Sequence, residues 1–345
     1  MTFLLLENDD LQMIWNAINK SQLIFHPSYA STGSIDYSDF QFLKKEKDLI
    51  LFLDRNLFSG LLSLTESGDL EDNEKKRMIA LLMLWAQMNH LPISPGLAIS
   101  ENALGDRNSH NAKIELGNFN DIFDFYPIRT WLYLADGRLD NIPKCNFSNI
   151  PYKNTVTYHD SNDHFLMNYA CMLHLVRLYR NPDMNPVERI LKFLEWNFDN
   201  LLISQYVNTY LILLLSNQNS IKAPKHVNSN IFERIDKGCR NQAWDLSYLS
   251  IWSTLYCDEE NKNEVFFFAT ADILLKQIFI NTHNNGNLFN LINTVFPRKS
   301  ADKIIQFYIE KTTNRSKPNF GENPNRYFNN LIENEKKELK QTIGT

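Results

Sequence analysis

Cysteine is scarce: there are four in 345 residues, Cys145, Cys171, Cys239 and Cys257, with no C-x-x-C pair and no dense spacing. A disulfide framework therefore has no support, and free thiols in a reducing compartment are the expectation. Long apolar runs are missing too. The opening run Phe3 to Leu6 is cut short by Glu7, Asp9 and Asp10, far below a signal core or a membrane span. The expectation is a cytoplasmic protein with no membrane partner. No P-loop, G-x-G-x-x-G or G-x-S-x-G occurs, so nucleotide cradles and a serine-hydrolase elbow have no anchor. Nor is there an excess of positive charge. With 35 Lys and Arg against 40 Asp and Glu, the chain carries a formal −5, so any nucleic-acid contact must come from a local basic patch.

What is present suits a folded core: 43% hydrophobic and 22% charged residues, enough for one large domain or two. Two short apolar runs read as buried strands. "DLILFLDRN" supplies Leu49 to Leu53 and ends on Asp54, while "NEVFFFATADILLKQIF" supplies Val265 to Ala269, ends on Thr270-Ala271-Asp272 and passes into a helical pattern. A buried strand followed by a helix predicts an α/β unit, and parallel sheets bind ligands at the carboxyl ends of their strands.

The organisation expected from these signals has five parts. Residues 1–46 are a helical lead-in with Leu11, Ile14, Trp15 and Ile18 at helical spacing, and 47–124 form the first part of the α/β core. Residues 125–235 read as an all-helical insertion, 236–290 as the second part of the core, and 291–345 as a C-terminal helical extension. In the insertion, "DHFLMNYACMLHLVRLYR" places Phe165, Leu166, Tyr169, Leu173 and Val176 on one face. "NPVERILKFLEWNF" opens with the capping-box pattern Asn185, Pro186, Glu188. In the core, "GLAISENAL" predicts a helix carrying Glu101 in its early turns, and "NQAWDLSYLSIWSTLY" one with Asp245 near its start.

Asp54, Glu101, Asp245 and Asp272 thus sit at strand ends and helix turns that can face one another across a sheet edge. Several carboxylates in one cleft are costly unless protons or a cation neutralise them, and hard cations such as Mg²⁺ and Mn²⁺ take carboxylate oxygens. The order "LILFLDRN", "GLAISENAL", "AWDLSYL", "VFFFATADILL" resembles the PIN-like nuclease domain. The resemblance implies a parallel sheet flanked by helices and an acidic metal pocket formed by Asp54, Glu101, Asp245 and Asp272. Asn56 and Thr270 would be its polar neighbours. It implies a Mg²⁺- or Mn²⁺-dependent endoribonuclease acting on single-stranded or structured RNA; a toxin, defence or RNA-processing role would each fit such an enzyme. A protein inhibitor and a homo-oligomer stay open as partners. Its departure from a compact domain is the separation of 144 positions from Glu101 to Asp245, which the helical insertion fills. An inactive PIN-like scaffold serving protein interactions and a DNA or flap nuclease remain alternatives. Each acid also has a plain reading: Asp54 and Asp272 as helix caps, Glu101 as a solvated helix residue, Asp245 as a helix-start acid.

"HDSNDH", with His159, Asp160, Asp163 and His164, lacks metalloprotease spacing and reads as a polar loop. His174, alone in an apolar helix, reads as a core residue. Arg177, Arg180, Arg189 and Lys192, and separately Arg298, Lys299 and Lys303, are basic clusters that could hold a phosphate backbone, with a solvated helix face as the plainer reading of either.

Overall fold

A computed structural model describes residues 8–103, 109–154, 162–216, 221–284, 286–313 and 315–343. The chain divides into two compact units, Met1–Asp160 with Trp252–Asp272, and Ser161–Ile251 with Ile273–Thr345.

The first unit holds the sheet. Its elements are α1 (Asn8–Ser21), β1 (Ile24–Phe25), α2 (Tyr37–Glu46), β2 (Asp48–Leu53), α3 (Arg55–Ser67), α4 (Asn73–Asn89), β3 (Ile93–Ser94), α5 (Gly96–Asn102), α6 (Ser109–Phe125), α7 (Ile128–Ala135) and β4 (Glu264–Ala269). The strand order is β1-β4-β2-β3. β2 runs parallel to both β3 and β4, with Leu49 opposite Val265, Leu51 opposite Phe267 and Leu53 opposite Ala269. The two apolar runs are thus central neighbours, and every residue of β4 from Val265 to Ala269 is buried. β1 pairs antiparallel with β4. The sheet is therefore mixed, where a parallel one was expected. The lead-in is not purely helical either, because Ile24 and Phe25 cover the free edge of β4.

Helices close over this sheet for reasons visible in their sequences. α1 buries Ile14, Trp15 and Ile18 but leaves Leu11 exposed, and the Trp15 ring meets Trp85 of α4 at 6.4 Å. α3 starts at Asp54 and stops at Gly68, whose φ of 82° is the left-handed conformation that glycine takes without a steric cost. α7 buries Trp131, Leu132 and Leu134, and its last turn is tied to α4 by Arg77, which donates to the carbonyls of Leu134 and Leu139. Residues 125–154 therefore pack with the sheet, not with a helical insertion starting at 125.

The second unit is helical: α8 (Asp163–Arg180), α9 (Pro186–Asn200), α10 (Gln205–Leu215), most of α11 (Phe232–Cys257), α12 (Ile273–Asn284), α13 (Leu288–Val295), α14 (Arg298–Thr313) and α15 (Pro324–Ile343). α8 is buried on several sides, with Phe165, Leu166, Tyr169, Leu173 and Val176 all inside. α9 carries the expected capping box: Glu188 N–H donates to Asn185 Oδ1 and Asn185 N–H donates to Glu188 Oε2, both at 3.0 Å. The stretch after 281 finishes α12 and forms α13, capped by Asn287. α12 belongs to this unit, so the boundary expected at 290 falls after Asp272.

Candidate functional site

Parallel pairing puts the carboxyl ends of β2 and β4 side by side, and each chain leaves the sheet on a polar residue. Asp54 N–H donates to Ala269 O at 3.1 Å, which holds the residue after β2 against the end of β4. Thr270 N–H donates to Leu23 O at 3.0 Å, which fixes the residue after β4 against the segment leading into β1. The side chains then meet. Thr270 Oγ1 donates to Asp54 Oδ2 and itself accepts from Asp272 N–H at 3.0 Å, while Asp54 Oδ1 accepts from Leu57 N–H at 2.7 Å. Asp54 and Thr270 are 2% and 1% exposed.

Burial decides the electrostatics. It pushes the Asp54 carboxyl up to about 7; the bonds from Thr270 and Leu57 pull it back, and the charges of Asp272 and Glu101 add to the rise. Helix capping alone does not account for this. Asp36 caps α2 in the same way, but it is exposed and its carboxyl is held below the ordinary value by its Ser38 and Asp39 bonds. A cap works well at the surface, so burying Asp54 beside two more acids asks for another reason.

Of the four expected acids, Asp272 and Glu101 therefore both act on Asp54, each from a separate segment. Glu101 lies in the last turn of α5, not in early turns, because the helix spans only Gly96–Asn102. Asp272 is half-buried just before α12. Asp245 lies in the helical unit, in the middle of α11, because that helix starts at Phe232 and not near 241. There Gln242 Nε2 donates to Asp245 Oδ2 at 3.3 Å, and burial and then the Asp245 charge raise the Tyr210 phenol. Among the described residues, no three His, Cys, Asp or Glu side chains form a group that could hold a metal ion as they stand. Asp272 and Glu101 act on Asp54 without the three forming a closed coordination shell.

The supporting residues divide. Thr270 is the hinge of the cluster, whereas Asn56 is exposed and its Oδ1 accepts from Lys75 Nζ at 3.3 Å. One positioning residue was not expected. Arg55, next to Asp54, donates to Glu115 through Nη1 at 2.7 Å and Nη2 at 3.1 Å, and to Ala98 O at 3.2 Å. It straps α3 to α6 and to α5, the helix that carries Glu101. Its position beside a strand-end acid was the only signal available, since Glu115 lies 60 residues away.

Elsewhere, His159 and Asp160 lie outside the described residues, and burial pushes the His164 imidazole down. The first basic cluster is used within the fold. Arg177 donates to Glu335, Arg180 to the carbonyls of Val227 and Ser229, and Arg189 to Asn181 O, leaving Lys192 at the surface. His174 is buried, with Nδ1 3.1 Å from Glu335 and its ring stacked on Trp196 at 4.1 Å. All four cysteines are unpaired, and only Cys257 is exposed. Among the described residues, no helix is long and apolar enough to cross a membrane. Comparison with known proteins gives no match among family models, curated proteins or solved structures.

Proposed function

We propose that this chain is a PIN-like, divalent-metal-dependent endoribonuclease whose pocket lies at the carboxyl ends of β2 and β4. The observation that carries the reading is a buried Asp54 carboxyl, raised to about 7, with two further acids acting on it from separate segments. Such a cluster gains most from a hard cation, which removes the cost of ionising it. Asp54 and Asp272 would hold Mg²⁺ or Mn²⁺, and Glu101 would hold or orient the attacking water. When bound, the ion makes a water more acidic and stabilises charge on a phosphodiester. Thr270 keeps the two aspartates in register, and Arg55 keeps α5 in place. Asp245 is not part of this minimal set.

The test is cleavage of a mixed RNA pool with Mn²⁺ and with excess chelator. Hydrolysis should require the metal and should vanish in Asp54→Asn and in Asp272→Asn while both variants stay folded. Cleavage that persists in the folded double variant defeats the assignment. One observation favours a second reading, an inactive scaffold serving protein interactions: both Asp54 oxygens are already satisfied inside the fold. Absence of metal-dependent cleavage on RNA, single-stranded DNA and duplex DNA alike would select it. Cleavage confined to DNA would select a DNA or flap nuclease.

A further inference from the structure

Unit by unit, the net charge splits. The sheet unit carries 15 Lys and Arg against 26 Asp and Glu, a formal −11, and the helical unit carries 20 against 14, a formal +6; together they give the −5 of the whole chain. One part of the protein is thus strongly acidic and the other basic, a division that favours a polyanionic partner for the basic part.

Within the helical unit the positive charge has a place to gather. α15 presents a surface hollow of about 390 Å³ lined by Glu333, Lys336, Lys337, Lys340 and Gln341. Lys340 stands over the Phe232 ring at 4.4 Å, and Lys336 over Tyr169 at 5.5 Å, with Arg240 over the same ring at 5.2 Å. A ring holds a cation in position without cancelling its charge, unlike a carboxylate. Glu333 pairs with Lys336 at 2.9 Å, and Asp236 accepts from the Tyr169 hydroxyl, so part of the charge is offset. Lys337 and Lys340 remain exposed at the surface.

We propose that this face of α15, with Lys336, Lys337 and Lys340, binds the phosphate backbone of single-stranded RNA. The choice of RNA rests on the nuclease reading above; the binding itself does not depend on hydrolysis. The experiment is fluorescence anisotropy of a labelled single-stranded RNA oligonucleotide with the full-length chain in EDTA, across a series of salt concentrations. The Lys336→Gln, Lys337→Gln, Lys340→Gln triple variant should bind about tenfold more weakly or worse. Its slope of log affinity against log salt should flatten by about 2, the loss of three backbone contacts on a single strand. A control triple in the acidic unit, Lys44→Gln, Lys45→Gln and Lys153→Gln, makes the same change in net charge and should leave affinity within about twofold. Should the α15 triple unfold, Lys337→Gln alone, at an exposed position, should still flatten the slope by about 0.7.

The proposal is overturned by an unchanged slope in a folded α15 variant, by equal loss in the control triple, or by a wild-type chain that binds vesicles containing phosphatidylserine but not RNA. Because EDTA silences metal-dependent cleavage, RNA binding that fails while RNA is still cut in Mn²⁺ counts against this surface alone. Lysine-dependent binding without any cleavage counts against the nuclease reading alone.

Discussion

Asp54→Asn tests the electrostatics of the pocket without any substrate. Asparagine keeps an oxygen to accept the Leu57 N–H bond but cannot ionise. In the folded chain the Asp54 carboxyl titrates at about 7, against an ordinary 3.8. Below 3.8 it is protonated in the folded and unfolded chain alike and makes no difference to stability. Between 3.8 and about 7 the unfolded chain ionises first, the folded chain binds more protons, and stability falls as pH rises. Above that window the loss is complete, about 4 kcal/mol at the ~1.4 kcal/mol carried by each pH unit. About 2.5 kcal/mol of it falls between pH 5 and pH 8. Urea unfolding in EDTA across that range measures it, read on the transition of the sheet unit if the two units unfold separately. The variant should gain on the wild type by about 2.5 kcal/mol from pH 5 to pH 8. Adding Mn²⁺ at 100 times its dissociation constant should return about 2.7 kcal/mol to the wild type at pH 8 and little to the variant. A difference that stays constant with pH refutes the buried-acid argument, and a cation that stabilises both proteins equally refutes the metal site.

Other perturbations probe the helical unit and the scaffold. Burial pushes the His174 imidazole down despite the neighbouring Glu335, so the unfolded chain takes up a proton first as pH falls below 6.5, and stability drops toward acid. Replacing His174 with Gln should remove that slope in urea unfolding between pH 6.5 and 5.5, a sign opposite to that of Asp54. Glu335→Ala leaves His174 and Arg177 without their shared carboxylate and should cost about 3 kcal/mol or more by the same measurement. At Gly238 a Cβ would stand 1.9 Å from Lys225 O, so Gly238→Ala should destabilise by about 2 kcal/mol or more, read as a lower melting temperature. Asn185→Ala, which removes the capping box of α9, should cost about 1 kcal/mol.

Legibility followed the range of the interactions. β2 and β4 could be read because each is a continuous apolar run closed by a polar residue, and the start of α9 because Asn185, Pro186 and Glu188 lie within four residues. β1 was invisible: two residues, Ile24 and Phe25, are a strand only because Ala269 and Phe268 stand opposite them. The early start of α11 was hidden by Gly238, which reads as a helix breaker in sequence. In the fold that glycine is required, since Lys225 O approaches where a side chain would be. The pairing of Asp54 with Thr270 follows from two strand ends in parallel register. The placement of α5, and with it of Glu101, rests on contacts such as the Arg55 bond to Ala98 O that no local pattern encodes.

The division of charge alters what the net figure of −5 can mean. Read over the whole chain it discourages a nucleic-acid partner, yet it averages a unit at −11 with one at +6. Under the proposed function, an acidic site would repel the polyanion it cuts, and its carboxylates would make that repulsion worst where the scissile phosphate would come. A cation bound there offsets some of it, and a basic unit in the same chain addresses the remainder differently, by holding the RNA at high effective concentration. If both proposals hold, the two defects should separate in kinetics: removing Lys336, Lys337 and Lys340 should raise KM steeply with salt and leave kcat nearly intact. Asp272→Asn should abolish kcat while RNA binding in EDTA is unchanged. A lysine variant that instead lowers kcat at saturating RNA would mean that α15 takes part in positioning the scissile phosphate, and the division of labour between the acidic and basic units would fail.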